Sequence, residues 1–442
     1  MSARVRSYGF TALSPLHERF GQFSGWTSFF LCILLGAFAA LGFAPFHLTP
    51  ALIVCLAGLV WLIDGGRRQV NWGRSLFLRG WAFGYGFFLV SMYWTVSPFL
   101  VDPARHAAYI WMPLVLLPGG MALIWAAAVS LAGAFWSASP SRIFIFAVFM
   151  ALGELVRAYL FGGFPWNTFG TTWVPGGPIS QAASLGGIYW LSLLTLFACA
   201  APAALVDTRE TNGVIGRAVP VTAAVVLAGF GWAWGAQRLA EPSQMSGQQV
   251  LLLDAGVPQA EKYNGAANQL LARYVMLLEE VESSPEDIVI LPEGALPFDL
   301  LASNYALDAI GAALGDRTLI VGSTRRAVDE GENVFYNSLA VLRHEDAQSE
   351  LIGLYDKHRL VPFGELAAVD IVPFGDSISG LLPDAMQELA VSGFKPGSEA
   401  TVLFPRGVPP FVALICYEAL FPEMTRLARP QRDDARWIVT IS

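Results

Sequence analysis

The chain has 442 residues, of which 55% are hydrophobic and 14% charged, with a mean hydropathy of +0.51. That balance excludes an ordinary soluble globular protein and puts a membrane protein first. The net charge of −8 is divided unevenly: residues 1–238 hold 13 Arg, no Lys and 6 acids, while residues 239–442 hold 14 basic and 29 acidic residues. An acidic second half excludes nucleic acid as its partner, because a phosphate backbone needs a basic surface.

The first half reads as a polytopic helical domain. Seven stretches are apolar enough to cross a bilayer, near 26–44, 50–64, 80–101, 108–136, 142–161, 183–206 and 218–237. Arg4 and Arg6 before the first stretch imitate a signal peptide, but six further spans make it a retained anchor. Arg19, Arg67, Arg68, Arg74, Arg142, Arg209 and Arg217 fall in alternate loops, against only Arg105 and Arg157 on the other side. The positive-inside rule then puts residues 1–25 in the cytoplasm, and seven crossings of 26–238 put the remainder outside. In a bacterium that means a multi-pass inner-membrane protein whose last domain, 245–442, faces the periplasm.

Glu154 and Arg157 stand three apart, on one helical face. Charges at such depth pair structurally or line a polar cavity, and both readings stand. The loop 162–178, rich in Gly, Pro and Trp, reads as a rigid turn or an interfacial contact.

From Gln248 the pattern changes to short strands and amphipathic helices. Strands are expected at QVLLLDAGV, DIVILPEG, RTLIVGST, NSLAVLRH, ELIGLYDKHRL, ATVLFP, PFVALICYE and RWIVTIS, with helices over 266–282 and from Ser303 to about Leu314. Their alternation predicts an α/β layered fold. Three polar residues end apolar runs: Glu293 after IVILP, Lys357 after LIGLYD and Cys416 after FVALI. Cys416 is the one cysteine outside the apolar first half; Cys32, Cys55 and Cys199 lie within it. A thiol at a strand end is a candidate nucleophile, and a carboxylate there can take its proton. An ammonium would stabilise a thiolate and an oxyanion. Only three lysines stand against 24 arginines, so Lys357 is not casual surface charge. Together the three suit acyl transfer through a thioester. The bland alternative is a buried small hydrophobe and two solvated strand ends.

LPEGALP, YDKHRLVPFGE and ICYE, in that order, resemble the nitrilase (carbon–nitrogen hydrolase) superfamily. With the membrane block in front, and with SNYAL, FYNSLAVL, VPQAEKY and the Glu154/Arg157 pair before GFPW, the chain resembles the apolipoprotein N-acyltransferase family. The resemblance implies a polytopic α-helical domain joined to an α-β-β-α sandwich. It implies Glu293 as general base, Lys357 as the oxyanion-stabilising cation and Cys416 as nucleophile. Glu365 would be a second, positioning carboxylate; Asn337, Tyr417, Glu418 and Tyr263 would support the pocket. The implied reaction is ping-pong, from a membrane phospholipid through a Cys416 thioester to the N-terminal amine of a diacylglyceryl-cysteine apolipoprotein. No metal or organic cofactor is implied.

Two departures stand out: Tyr263 replaces a usual Trp, and Asp254 stands where the family has an amide pair. Family members also continue past RWIVTIS, so the chain is expected to be truncated at Ser442 and the sandwich incomplete there. Residues 378–394 suit a lid or lipid entrance, or ordinary surface structure. The competing functions are a membrane-tethered amidase using the same three residues, and an inactive truncated relative. A cysteine–histidine hydrolase fits less well, since only His344 and His358 lie in the second half and His358 adjoins Lys357.

Overall fold

A computed structural model describes residues 14–100, 103–206, 214–243, 247–262, 267–281, 287–329, 331–345, 348–362, 364–365, 393–427 and 434–442. The chain divides into two compact units, 1–242 and 243–442.

The regular elements described in the first unit are helices: α1 (Ser14–Gln22), α2 (Gly25–Ala39), α3 (Thr49–Arg67), α4 (Trp72–Ser91), α5 (Pro103–His106), α6 (Leu117–Ala134), α7 (Arg142–Tyr159), α8 (Ala183–Ala200) and α9 (Val214–Leu239). Among the described residues, six helical segments are long and apolar enough to cross a membrane. They correspond to six of the seven expected stretches, and the chain is a multi-pass membrane protein. The third stretch, 80–101, is corrected. Helix α4 starts at Trp72 and stops at Ser91, and residues 93–100 form 3-10 turns. Arg74 and Arg79 now fall inside the helix and lower its apolarity. A helix enclosed by others needs less lipid-facing surface, and α4 is packed between α2 and α6. A Cβ added at Gly36 would strike the Phe83 carbonyl, and one at Gly86 the Ile33 carbonyl. Small residues thus let the α2 and α4 backbones meet, as in other membrane helix pairs.

The second unit is built on two sheets. Its elements are β1 (Val250–Leu252), α10 (Gln259–Lys262), α11 (Ala267–Glu280), β2 (Ile288–Ile290), α12 (Asn304–Leu314), β3 (Thr318–Asp329), β4 (Glu332–Glu345), β5 (Gln348–Asp356), β6 (Val402–Leu403), β7 (Phe411–Ile415), α13 (Met424–Leu427) and β8 (Trp437–Ile441). The larger sheet has the order β1-β2-β3-β4-β5, parallel from β1 to β3 and antiparallel beyond. The smaller has the order β6-β7-β8, with β7 and β8 parallel.

Both faces of the larger sheet are covered, which is why its strands read as continuous apolar runs. Val289, Leu319, Val321, Ala340 and Leu342 meet Leu271, Tyr274 and Leu278 of α11 and Ile310 and Leu314 of α12. Their neighbours Ile288, Ile320, Leu339 and Val341 point the other way, against Phe411, Ala413, Ile415, Val439 and Ile441 of the smaller sheet. The alternation is the period of two that a strand imposes. Of the expected α-β-β-α layers, the first three are thus laid out; both long helices described in this unit lie on the larger sheet. Helix α12 starts where expected, because the Ser303 hydroxyl caps the Ala306 amide at 3.3 Å. The β3–β4 hairpin is longer than expected, pairing through Asp329 and Glu332. Its outer half carries exposed polar residues, which blur a strand signal.

Candidate active site

Strand β7 delivers the thiol. All five of its residues are buried, and the chain then turns sharply: Cys416 has φ +47° and opens the 3-10 segment Cys416–Leu420. A non-glycine residue in the left-handed region costs roughly 1–3 kcal/mol and persists only where its surroundings enforce it. Glu418 supplies that enforcement. Its Oε2 accepts the Ile415 amide at 2.8 Å, closing the turn on itself. Its Oε1 accepts the Tyr355 hydroxyl at 2.7 Å and the amides of His358 and Arg359 at 2.9 and 3.0 Å. One fully buried carboxylate therefore ties the nucleophile turn to the segment carrying Lys357. Burial still outweighs those hydrogen bonds and holds the Glu418 carboxyl above the usual range. Burial, and then the Glu418 charge, likewise push the Tyr355 phenol up. Tyr417 is buried and meets Phe421 edge to face at 4.9 Å.

Lys357 follows β5 and is 1% exposed. Its Nζ lies 2.8 Å from Glu365 Oε1 and 3.3 Å from Glu293 Oε1. Burial alone would push the ammonium down, but Glu365 and then Glu293 reverse this and hold it above its ordinary value. Asn337, on β4, binds both carboxylates with one amide nitrogen, at 2.6 Å to Glu293 and 2.7 Å to Glu365. Its carbonyl accepts the Lys357 amide at 2.8 Å. Glu365 is fixed further through Oε2, which accepts the Val361 amide at 2.9 Å.

Glu293 sits on the turn after β2, close enough to the Cys416 thiol to raise its proton affinity. The thiol is pushed above its ordinary value first by burial; Ser442 and the Lys357 charge pull it down, and Glu293 raises it. It rests as a thiol and needs a base, which stands beside it. The backbone of Glu293 is placed by Gly322 of β3: a Cβ there would lie 2.7 Å from Glu293 Cα. Lys262 reaches the same turn, its Nζ 3.4 Å from the Gly294 carbonyl.

The structure thus brings Glu293, Lys357, Cys416, Glu365 and Asn337 into one cluster, with Glu418 and Tyr417 behind it. Tyr263 and residues 378–392 of the stretch 378–394 lie outside the described residues. Asp254 accepts the Gly256 amide at 3.0 Å in a local turn. His358 Nδ1 lies 3.0 Å from the Gly397 carbonyl and His344 Nδ1 3.2 Å from the Ser349 hydroxyl. Tyr355 was missed from sequence, because a tyrosine in an apolar strand reads as core; its polar end is what binds Glu418. Asp356 was missed too. It receives both Arg325 Nε and Nη2, at 3.1 and 2.7 Å, and the Ser338 hydroxyl at 2.6 Å.

In the first unit, Glu154 and Arg157 are 3.8 Å apart and buried. Glu154 accepts the Phe169 amide at 2.9 Å; Arg157 donates to the carbonyls of Phe164 and Trp166 at 2.8 and 2.7 Å. They clamp the Gly- and Trp-rich loop onto the bundle, where Phe169 stacks on Trp125 at 5.3 Å.

The two units match two family models: the Apolipoprotein N-acyltransferase N-terminal domain over residues 35–201, and Carbon-nitrogen hydrolase over residues 254–442. A Brucella melitensis protein named apolipoprotein N-acyltransferase is 34% identical over 424 residues, covering 93% of this chain and 77% of the relative. The chain belongs to the apolipoprotein N-acyltransferase family. A Caulobacter vibrioides relative of the same name is 35% identical over 438 residues, covering 94% of this chain and 77% of its own. Membership makes the chain an acyltransferase with a nitrilase-like second domain.

Proposed function

We propose that the chain moves a fatty acyl group from a membrane phospholipid to the N-terminal amine of a diacylglyceryl-cysteine apolipoprotein. Glu293 takes the Cys416 proton as the sulfur attacks the acyl carbonyl. The thioester bond forms, the ester C–O bond breaks, and Glu293 returns the proton to the departing lysophospholipid oxygen. The acceptor amine then attacks the thioester, gives a proton to Glu293 and expels the Cys416 thiolate, which takes the proton back. Lys357 lies where it can balance the oxyanion of each tetrahedral intermediate. Glu365 and Asn337 hold Lys357 and Glu293 in position.

One observation carries this reading: a thiol, a carboxylate and a buried ammonium converge at strand ends in a chain that also carries membrane-spanning helices. In the proposed topology residues 26–238 cross an inner membrane seven times. Helix α4, 20 residues and about 30 Å long, serves as the seventh crossing. The arginine-bearing loops face the cytoplasm and residues 245–442 the periplasm.

The test is to incubate the chain with acyl-labelled phospholipid and look for a hydroxylamine-labile label on Cys416. A diacylglyceryl-cysteine peptide should discharge it as an amide. An amidase would instead hydrolyse small amides and leave no lipid-derived adduct. A reporter active only in the cytoplasm, fused near Gly247, should be silent.

A further inference from the structure

Arg79 is a buried cation with no counter-charge among the described residues. It is 2% exposed, in the first half of α4. Its guanidinium donates to the Leu62 carbonyl and, at 2.8 Å, to the Phe23 carbonyl, and its Nε has no hydrogen-bond partner among the described residues. The neighbouring acids are otherwise engaged. Asp64 takes Arg142 at 3.1 Å, His17 at 3.4 Å and the Trp136 ring N–H at 2.8 Å. Glu154 pairs with Arg157, and Glu18 and Glu241 are exposed. Helix α3 packs tightly over the guanidinium: a Cβ at Gly66 would lie 2.5 Å from Arg79 Nη1.

Arg79 lines an open cavity of about 760 Å³ between α2 and α4. Its loop end is polar, with Gln69, Asn71 and the exposed Arg74. Its other end is apolar, walled by Trp26, Phe29, Leu78 and Trp81 and reaching Leu123 on α6. Phe29 and Trp81 stack at 6.1 Å, so this wall is a fixed surface. From Asn71 to Trp81 the cavity runs about 15 Å at 1.5 Å per residue. That is half of the ~30 Å hydrocarbon core, one leaflet deep.

We propose that this cavity binds one anionic phospholipid. The phosphate sits against Arg74 and Arg79, and an acyl chain lies along the aromatic wall. Two cations, one of them buried and unbalanced, at the head of an apolar groove one leaflet deep fit such a lipid and no soluble anion. The site rests on the membrane reading of the first unit. In the proposed topology it lies in the cytoplasmic leaflet, opposite to the leaflet that would supply the acyl donor. It is therefore a structural lipid site, separate from Cys416.

The test uses the full chain in phosphatidylcholine nanodiscs doped with phosphatidylglycerol, and counts by native mass spectrometry the lipids retained after release. Retention of one phosphatidylglycerol in preference to phosphatidylcholine is expected, unchanged in Cys416→Ala. Losing one charged contact should weaken retention roughly tenfold in Arg74→Gln, with Arg74→Lys restoring most of it. Leu78→Trp, which fills the groove and keeps both arginines, should expel the lipid too. Equal retention of the two lipids would overturn the proposal. So would unchanged retention in both Arg74→Gln and Leu78→Trp, displacement of the lipid by inorganic phosphate alone, or loss of the lipid in Cys416→Ala. Failure of thioester formation with the lipid still bound would count against the proposed reaction instead.

Discussion

Both units bury charge, but they balance it differently. Among the described residues of the helical unit, Glu154 meets Arg157 and Asp64 meets Arg142, one carboxylate to one arginine. In the second unit two carboxylates, Glu293 and Glu365, share one ammonium, Lys357, beside a thiol. A matched pair has no capacity left over, and replacing one partner leaves a stranded charge. A group with one negative charge in excess can accept a proton, which is what a general base needs. Excess charge at a strand end, rather than burial itself, marks the reactive cluster.

The sharpest way to break this contrast is to remove the sulfur. Cys416→Ala should give no hydroxylamine-labile lipid adduct at all; a persisting adduct would mean that another group carries the acyl chain. Glu293→Gln keeps the shape and removes the base, and should lower the rate of thioester formation by about 10²–10⁴-fold in single-turnover assays. Lys357→Met should lower it by about 10²–10³-fold.

The same two substitutions should move the thiol in opposite directions. In the wild type, the pH at which iodoacetamide labelling of Cys416 is half-maximal should lie above that of a free cysteine, since burial opposes the thiolate. Lys357 favours the thiolate, so Lys357→Met should raise that midpoint further. Glu293 disfavours it, so Glu293→Gln should lower it. Shifts of the same sign would separate at least one of the two from the sulfur. Cys32, Cys55 and Cys199 are buried and should not label.

On the other side of the comparison, Arg157→Leu strands Glu154 and should destabilise the helical unit by about 3–5 kcal/mol in thermal or denaturant unfolding. Thioester formation per folded molecule should survive. If the folded variant were inert, the pair would belong to the chemistry rather than to the loop. The smallest effect is expected from Gly322→Ala, which presses on the Glu293 backbone. Overpacking of that kind costs about 1–3 kcal/mol, and turnover should fall more than stability does.

The apolar runs made most of the fold legible. The strands covered on both faces announced themselves, and Ser303 marked its helix start. What stayed hidden was non-local. Helix α4 looked misplaced because its neighbours, not its own composition, shield Arg79. The spacing of Glu154 and Arg157 was plain, but the carbonyls they hold depend on where the loop returns. Glu293, Lys357 and Cys416 stood out as polar punctuation after hydrophobic strands. The dual grip of Asn337 and the part of Tyr355 could not be read off, since nothing in a linear pattern says which facing strand supplies a partner.

The carboxylate of Glu418 acts as a ruler. Its two oxygens reach from the turn that presents the sulfur to two consecutive amides beside the ammonium, so its length sets the gap between attacking atom and stabilising charge. Aspartate, shorter by one methylene, could satisfy one end only. The position therefore has little freedom to change without moving the sulfur relative to the ammonium.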